Sequence, residues 1–411
     1  MPMDAGVIIV GGGQGGFQAA ASLREEGYAG PVTLVGAEPV SPYQRPPLSK
    51  GFLTGKTPQA QLPLRPDAFY EERGIEWLAG ERVTGIDRVA RRVTLASGAR
   101  RAYDHLVLAT GAVPRMPRSP GAELEGVQAL RTLADAQLLK QRLGQAHRVV
   151  VVGAGFIGLE IAVASRELGL EVEVVEFAQR ALQRSVSADA AAFLSVALQA
   201  RGVRFHFSTG AEAFLGEAGR VCAVQTHRGD VLPADVVVIG VGVEPDDALA
   251  RESGLSVQGG VLVDDYLLTS DPAISALGDC ARFPAADGAP PIRIESVQNA
   301  VDQARCIAAR VVGRPVRYRK VAWFWSDQGQ NRLQIAGVAD PADASVLRGS
   351  IADGKFSVLR FRGDRLTAIE SVNSAADHMA ARKLLAAGIA VTPEQAADAS
   401  VKLASLVAMA A

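Results

Sequence analysis

Two stretches decide the fold: Val7-Ile8-Ile9-Val10-Gly11-Gly12-Gly13-Gln14-Gly15-Gly16, and Val149-Val150-Val151-Val152-Gly153-Ala154-Gly155-Phe156-Ile157-Gly158. In both, an unbroken apolar run precedes G-x-G-x-x-G. A run without alternation reads as a strand covered on both faces, as in a parallel sheet between helices. Ala/Leu periodicity follows in FQAAASLREEGY (17–28) and LEIAVASRELGL (159–170), with Gly27 and Gly169 as helix stops. Second strands follow at Val32 to Val35 and Val172 to Val175, and each runs into an acidic residue, Glu38 and Glu176. Those carboxylates lie 22 and 18 residues past Gly16 and Gly158, close to the spacing of about 20 expected of a ribose-binding acid. Gly11, Gly13 and Gly16, like Gly153, Gly155 and Gly158, let the backbone approach a pyrophosphate. The helix N-terminus behind them supplies free N–H donors and a positive dipole end. One such motif is weak in a chain with 42 glycines. Two, each with strand, helix, second strand and acid, predict two bound dinucleotides.

Outward from these units, Leu106 to Gly111 closes the first half and Val236 to Gly242 the second. Asp279 follows Gly278 after a short apolar stretch and is read either as a helix N-cap or as an acceptor for a ribose or ribityl hydroxyl. The predicted fold is α/β, with two Rossmann-like dinucleotide-binding domains, one inserted in the other, and a C-terminal α+β domain. Residues 1–114 and 243–318 form the first domain, 115–242 the insert and 321–411 the third. Gly121 to Gln128 and Gly313 to Arg319 are the expected linkers.

Composition narrows the class. The chain has 411 residues, 43 Lys plus Arg against 44 Asp plus Glu, and a net charge of −1, which excludes a surface dedicated to nucleic acid. With 48% hydrophobic and 21% charged residues it is globular rather than disordered. Cys222, Cys280 and Cys306 form no CxxC pair, so a reducing, cytoplasmic setting is expected, with no metal site. No uncharged apolar run reaches membrane-spanning length; the nearest ends at Glu160.

Several side chains carry candidate chemistry. Prolines stiffen the loop from Ser41 to Lys50 (SPYQRPPLSK), which holds Arg45 and Pro47. Lys50, at the start of an expected helix, is either a solvated end of a rigid turn or lies near the redox edge of an isoalloxazine ring that the loop walls. Glu160, in the first turn of the second unit's helix, either complements the dipole or turns inward, pairs with Lys50 and orients a nicotinamide. Glu176 favours NADH by accepting the 2′-hydroxyl, with Arg180 and Arg184 able to soften that bias. Arg305, Arg310, Arg314, Arg317, Arg319 and Lys320 run without an acid, as a solvated helix end or as a patch that steers an acidic partner.

VIIVGGGQGGFQAA, SPYQRPPLSKGFL, VVVVGAGFIGLEIA, TSDPAISALGDCARF, RIESVQNAVDQAR and AWFWSDQ together resemble the putidaredoxin reductase family, the FAD- and NADH-dependent ferredoxin reductases of oxygenase systems. The resemblance covers nearly the whole chain. It implies the glutathione-reductase-type fold, FAD contacts at Gly13, Gly15, Lys50, Val83, Arg131, Asp279 and Val297, and NAD contacts at Gly155, Ile157, Glu160, Glu176 and Gly242. Ala37 departs from the family pattern and passes the first ribose contact to Glu38. The resemblance also implies hydride transfer from NADH to FAD, then single electrons to a two-iron, two-sulfur ferredoxin that feeds a cytochrome P450 or Rieske-type oxygenase. Trp325 is expected near the isoalloxazine, with core packing the alternative. The expected assembly is a monomer or weak dimer. A monodehydroascorbate-reductase-like enzyme and a redox-signalling flavoprotein are the competing functions. A disulfide reductase would need a cysteine pair in residues 40–50, where there is none.

Overall fold

The computed structural model describes residues 5–285 and 289–409. Contacts divide the chain into two compact units. One comprises residues through Gln44, Gln59–Val113 and Val243–Lys320; the other comprises Arg45–Pro58, Pro114–Gly242 and Val321 onward.

The first unit is built on a five-stranded sheet in the order Ile274–Ala276, His105–Leu108, Val7–Val10, Val32–Gly36, Ile75–Ala79, parallel throughout. All four residues of Val7–Val10 are buried, which is why the run shows no alternation. Helix Gln14–Glu25 leaves the central strand, and helix Val297–Val311 packs against it. Gly15 lies at that approach: a Cβ there would lie 3.4 Å from Ala300 Cβ on the second helix and 2.4 Å from Leu277 Cδ1 beside it.

The second unit repeats the design in a parallel sheet ordered Val203–Phe207, Glu171–Glu176, Arg148–Val152, Val236–Ile239, Val127–Ala129. The stretch Gly121 to Gln128, expected as a linker, therefore ends inside a strand: Val127 and Gln128 pair with Val237 and Val238. With Val127 buried, this short apolar step forms an edge strand that no periodicity marks.

The same unit holds an antiparallel sheet ordered Trp323–Gln328, Asn331–Gly337, Arg365–Val372, Lys355–Arg362, Ala344–Ser350. Helices Ala375–Ala387, Pro393–Ala397 and Leu403–Met409 follow it, the α+β pattern expected of this segment. Along Trp323–Gln328 successive side chains point to opposite faces, so Phe324, Ser326 and Gln328 share one face and Trp323, Trp325 and Asp327 the other. The Phe324 face lies against helix Phe156–Glu167, with the Phe156 and Phe324 rings 4.5 Å apart and edge-on.

Candidate functional site: two glycine cradles and a Lys–Glu pair

In the first unit, Gly11 adopts φ +122°, and Gly16 packs so closely that a Cβ would lie 1.9 Å from Gly11 O. Gly13, the N-cap of helix Gln14–Glu25, differs: nothing lies within 4 Å of its Cβ direction. The outer glycines close the turn, and the middle one leaves space over the helix N-terminus, as a pyrophosphate requires. Glu38 lies beyond the second strand and accepts from Tyr43 Oη at 2.6 Å. Val83 is buried in strand Val83–Asp87. Val297 opens helix Val297–Val311, whose N-cap Ser296 accepts from Asn299 N at 3.1 Å. Asp279 sits within the short 3-10 turn Gly278–Cys280, whose N-cap is Leu277. The N-cap alternative for Asp279 is thus removed, because the helix expected to start there begins only at Val297.

The second unit has the same cradle. Gly153 takes φ +105°, and a Cβ on Gly158 would lie 2.2 Å from Gly153 O. The N-cap Gly155 has only Gly240 O near its Cβ direction, at 3.7 Å, and Gly242 has nothing within 4 Å. Ile157, in the first helical turn, is exposed. The Glu176 carboxylate is fixed at the mouth of this loop, accepting from Ala154 N at 2.7 Å and from Ala178 N at 2.8 Å. Arg180 turns back onto its own loop, toward the carbonyls of Ala181, Gln183, Val186 and Ser187 at 2.9 to 3.4 Å. It is therefore occupied rather than offered to a 2′-phosphate.

The loop carrying Arg45, Pro47 and Lys50 belongs to this unit. Arg45 Nη1 donates to Arg131 O at 2.5 Å. Arg131 N donates to Asp135, the acid of the capping box on helix Leu133–Leu143. Pro47 lies in the 3-10 helix Pro46–Ser49, which Lys50 ends rather than starts, because successive prolines favour a tight helical turn without supporting a longer one. Lys50 Nζ reaches Glu160 Oε2 at 2.8 Å and Pro46 O at 3.2 Å. Glu160 is buried on helix Phe156–Glu167. Its Oε2 also accepts from Ser49 Oγ at 2.5 Å, and its Oε1 accepts from Ser326 Oγ at 2.6 Å. Both oxygens of this buried carboxylate thus have donors, two on Oε2 and one on Oε1. A cavity of about 140 Å³ adjoins the pair, lined also by Lys56, Glu167 and Asp327. Trp325 lies on the other face of its strand, half-buried, with its ring 5.7 Å from that of Trp323.

The structure therefore brings Lys50 and Glu160 into contact, and sequence reasoning missed the three polar residues around them: Ser49, Ser326 and Gln328. Strand alternation in WFWSDQ held the signal, since Ser326 falls on the face opposite the tryptophans.

Part of the basic run is paired with acids, two of them distant in sequence. Arg314 pairs with Glu26, Arg317 and Arg319 with Asp265, and Arg305 with Asp302. Arg310 turns inward onto Ser275 and His105. The three cysteines are free. Cys280 is fully buried and donates to Leu277 O and Leu108 O, and burial pushes its thiol pKa up, which suits packing rather than thiolate chemistry.

Comparison with known proteins places these features. Residues 5–304 match the model of a family described as pyridine nucleotide-disulphide oxidoreductase. The chain belongs to that family. Residues 323–407 match a reductase C-terminal domain. As a member, the chain is a flavoprotein oxidoreductase that uses FAD and NAD(H). It is 48% identical over 392 residues to rhodocoxin reductase of Rhodococcus erythropolis, covering 95% of this chain and 92% of that one. It is 37% identical to putidaredoxin reductase of Pseudomonas putida, covering 100% and 98%. Among solved structures, the ferredoxin reductase for the CYP199A2 system of Rhodopseudomonas palustris superposes with a TM-score of 0.96 at 46% identity, over 98% of this chain and all of that one. The reductase in the covalent putidaredoxin reductase–putidaredoxin complex also gives 0.96, at 37% identity and 99% of both chains. Among the described residues no helix is long and apolar enough to cross a membrane.

Proposed function

We propose that this chain is an NADH-dependent ferredoxin reductase of an oxygenase system: NADH and two oxidised ferredoxins give NAD⁺, a proton and two reduced ferredoxins. The observation that carries it is the chain-long similarity to putidaredoxin reductase, whose partner is the protein putidaredoxin. FAD, when bound, converts the two-electron hydride into single electrons.

We assign FAD to residues 1–114 and 243–318, NADH to residues 115–242, and the remaining α+β domain to 321–411. In the first domain, Gly11, Gly13, Gly15 and Gly16 free the helix N-terminus for a pyrophosphate, and Glu38 and Asp279 accept sugar hydroxyls, with Val83 and Val297 as apolar contacts. Arg45, Pro47 and Arg131 fix the loop that carries Lys50. In the second, Gly153, Gly155, Gly158, Ile157 and Gly242 form the cradle. Glu176, already held by two backbone donors, accepts the adenosine 2′-hydroxyl and repels a 2′-phosphate. Lys50 and Glu160 act at the reacting end: Glu160 is buried and held by three donors, so the pair is set in place to orient the nicotinamide before transfer. Trp325 is assigned to the flavin side.

The partner is a 2Fe–2S ferredoxin. Of the basic run, Arg305, with a long 3.7 Å pair, and Lys320 remain for steering, while Arg310 and Arg314 are engaged elsewhere and Arg317 donates to Tyr266 Oη at 3.3 Å. A cytoplasmic monomer or weak dimer completes the proposal. The test is NADH-driven cytochrome c reduction with and without a 2Fe–2S ferredoxin. Strong dependence on ferredoxin is expected. Equal rates without it, or slow flavin reduction with a persistent charge-transfer band, would favour a different acceptor or a signalling role.

A further inference from the structure

The hydrogen bonds around Glu160 run in one direction. Gln328 Nε2 donates to the carbonyl of Phe156 at 3.3 Å and to Ser326 Oγ at 2.8 Å. Because Ser326 Oγ accepts from the amide, its own proton goes to Glu160 Oε1, 2.6 Å away. The amide cannot be reversed cheaply, since that would set Gln328 Oε1 against the Phe156 carbonyl, acceptor to acceptor. As it stands, Gln328 Oε1 is buried without a hydrogen-bond partner. Such an atom in a native interior calls for a reason. Gln328 and Ser326 are fully buried on adjacent positions of one strand face. Phe156 begins the helix on which Glu160 lies one turn further along. The relay thus starts and ends on the same helix, with the strand Trp323–Gln328 as its bridge.

We infer that Ser326 and Gln328 are positioning residues for the Lys50–Glu160 pair: the amide fixes the direction of the Ser326 hydroxyl, and the hydroxyl fixes the carboxylate rotamer that presents Oε2 to Lys50 and Ser49. A carboxylate bonded only through Oε2 would be free to rotate about its terminal torsion, which is broad for Glu. Small displacements at the reacting end of an enzyme cost much more in rate than in binding. The inference rests on the proposed role of Lys50 and Glu160 in hydride transfer.

The test is anaerobic stopped-flow reduction of the FAD-loaded protein by NADH, which separates the limiting rate from the dissociation constant. It is paired with thermal unfolding of the flavin-free chain. Ser326→Ala is expected to lower the limiting rate by about ten-fold and to leave NADH binding unchanged. Ser326→Thr, which keeps the hydroxyl, should restore it. In a Glu160→Gln background, Ser326→Ala should add nothing further to the rate loss, and in the flavin-free chain the two substitutions should lower the melting temperature non-additively. Gln328→Met, which removes the donor that directs Ser326, provides the same test should Ser326→Ala not fold. A Ser326→Ala effect of the same size with and without Glu160, or none where Glu160→Gln alone slows reduction, would overturn the inference and leave the Lys50–Glu160 role standing. An unchanged limiting rate in Glu160→Gln would overturn both.

Discussion

At the residue scale, the proposed preference for NADH rests on Glu176 and Arg180, which are held by opposite means. The Glu176 carboxylate accepts from backbone N–H groups, and the Arg180 guanidinium donates to backbone carbonyls of its own loop. Glu176→Ala should therefore lower kcat/KM for NADH by about ten-fold without raising NADPH above NADH, because the Arg180 guanidinium is already taken up by loop carbonyls; steady-state kinetics with both cofactors measure this. The acid was legible from its spacing to Gly158. The fate of Arg180 was not, because a loop that folds back on its own side chain leaves no periodic trace.

His105 supplies a pH prediction at the same scale. Burial, and then the adjacent Arg310, push its pKa from 6.5 down to about 3, while burial and Arg382 take His378 to about 4. Both imidazoles are held neutral in the folded chain, so below pH 6.5 the unfolded chain binds protons that the folded one does not. Stability is then complete above pH 6.5 and is lost as pH falls toward 4 and 3, at about 1.4 kcal/mol per pH unit for each group. Melting temperatures measured across that range should fall, and His105→Gln should flatten the slope.

At the scale of the element, the two glycine turns separate folding from binding. Gly16→Ala places a Cβ 1.9 Å from Gly11 O, so the helix must shift off its strand. That variant is expected to lose several kcal/mol of stability, of the order seen for severe core overpacking. Gly13→Ala meets no protein atom, so it should fold with an unchanged melting temperature in the flavin-free chain and bind FAD more weakly; equilibrium unfolding and flavin fluorescence distinguish the two. Strand, turn, helix and acid were legible here because each follows a local rule. The strand Trp323–Gln328 was legible as a strand but not as a functional face, since attention falls on its tryptophans while the buried polar residues lie between them.

At the scale of the whole molecule, net charge and local charge part company. The run from Arg305 to Lys320 is basic in sequence, yet Glu26 and Asp265 come to it in the fold. Long-range pairing of this kind is invisible to a window along the chain. Ferredoxin reduction should accordingly fall by less than about ten-fold between low and high salt, below the range of strongly steered association. A much steeper dependence would restore the patch as the docking surface. The three cysteines have no close partner in sequence, and in the fold Cys280 is buried.

The most direct test of the account is an anaerobic titration of the purified protein with NADH, followed by its visible spectrum. A yellow protein with one flavin per chain, bleached completely by a single equivalent of NADH, is expected. A colourless preparation that FAD does not reconstitute, or a demand for a second equivalent that disappears in Cys280→Ser, would contradict it.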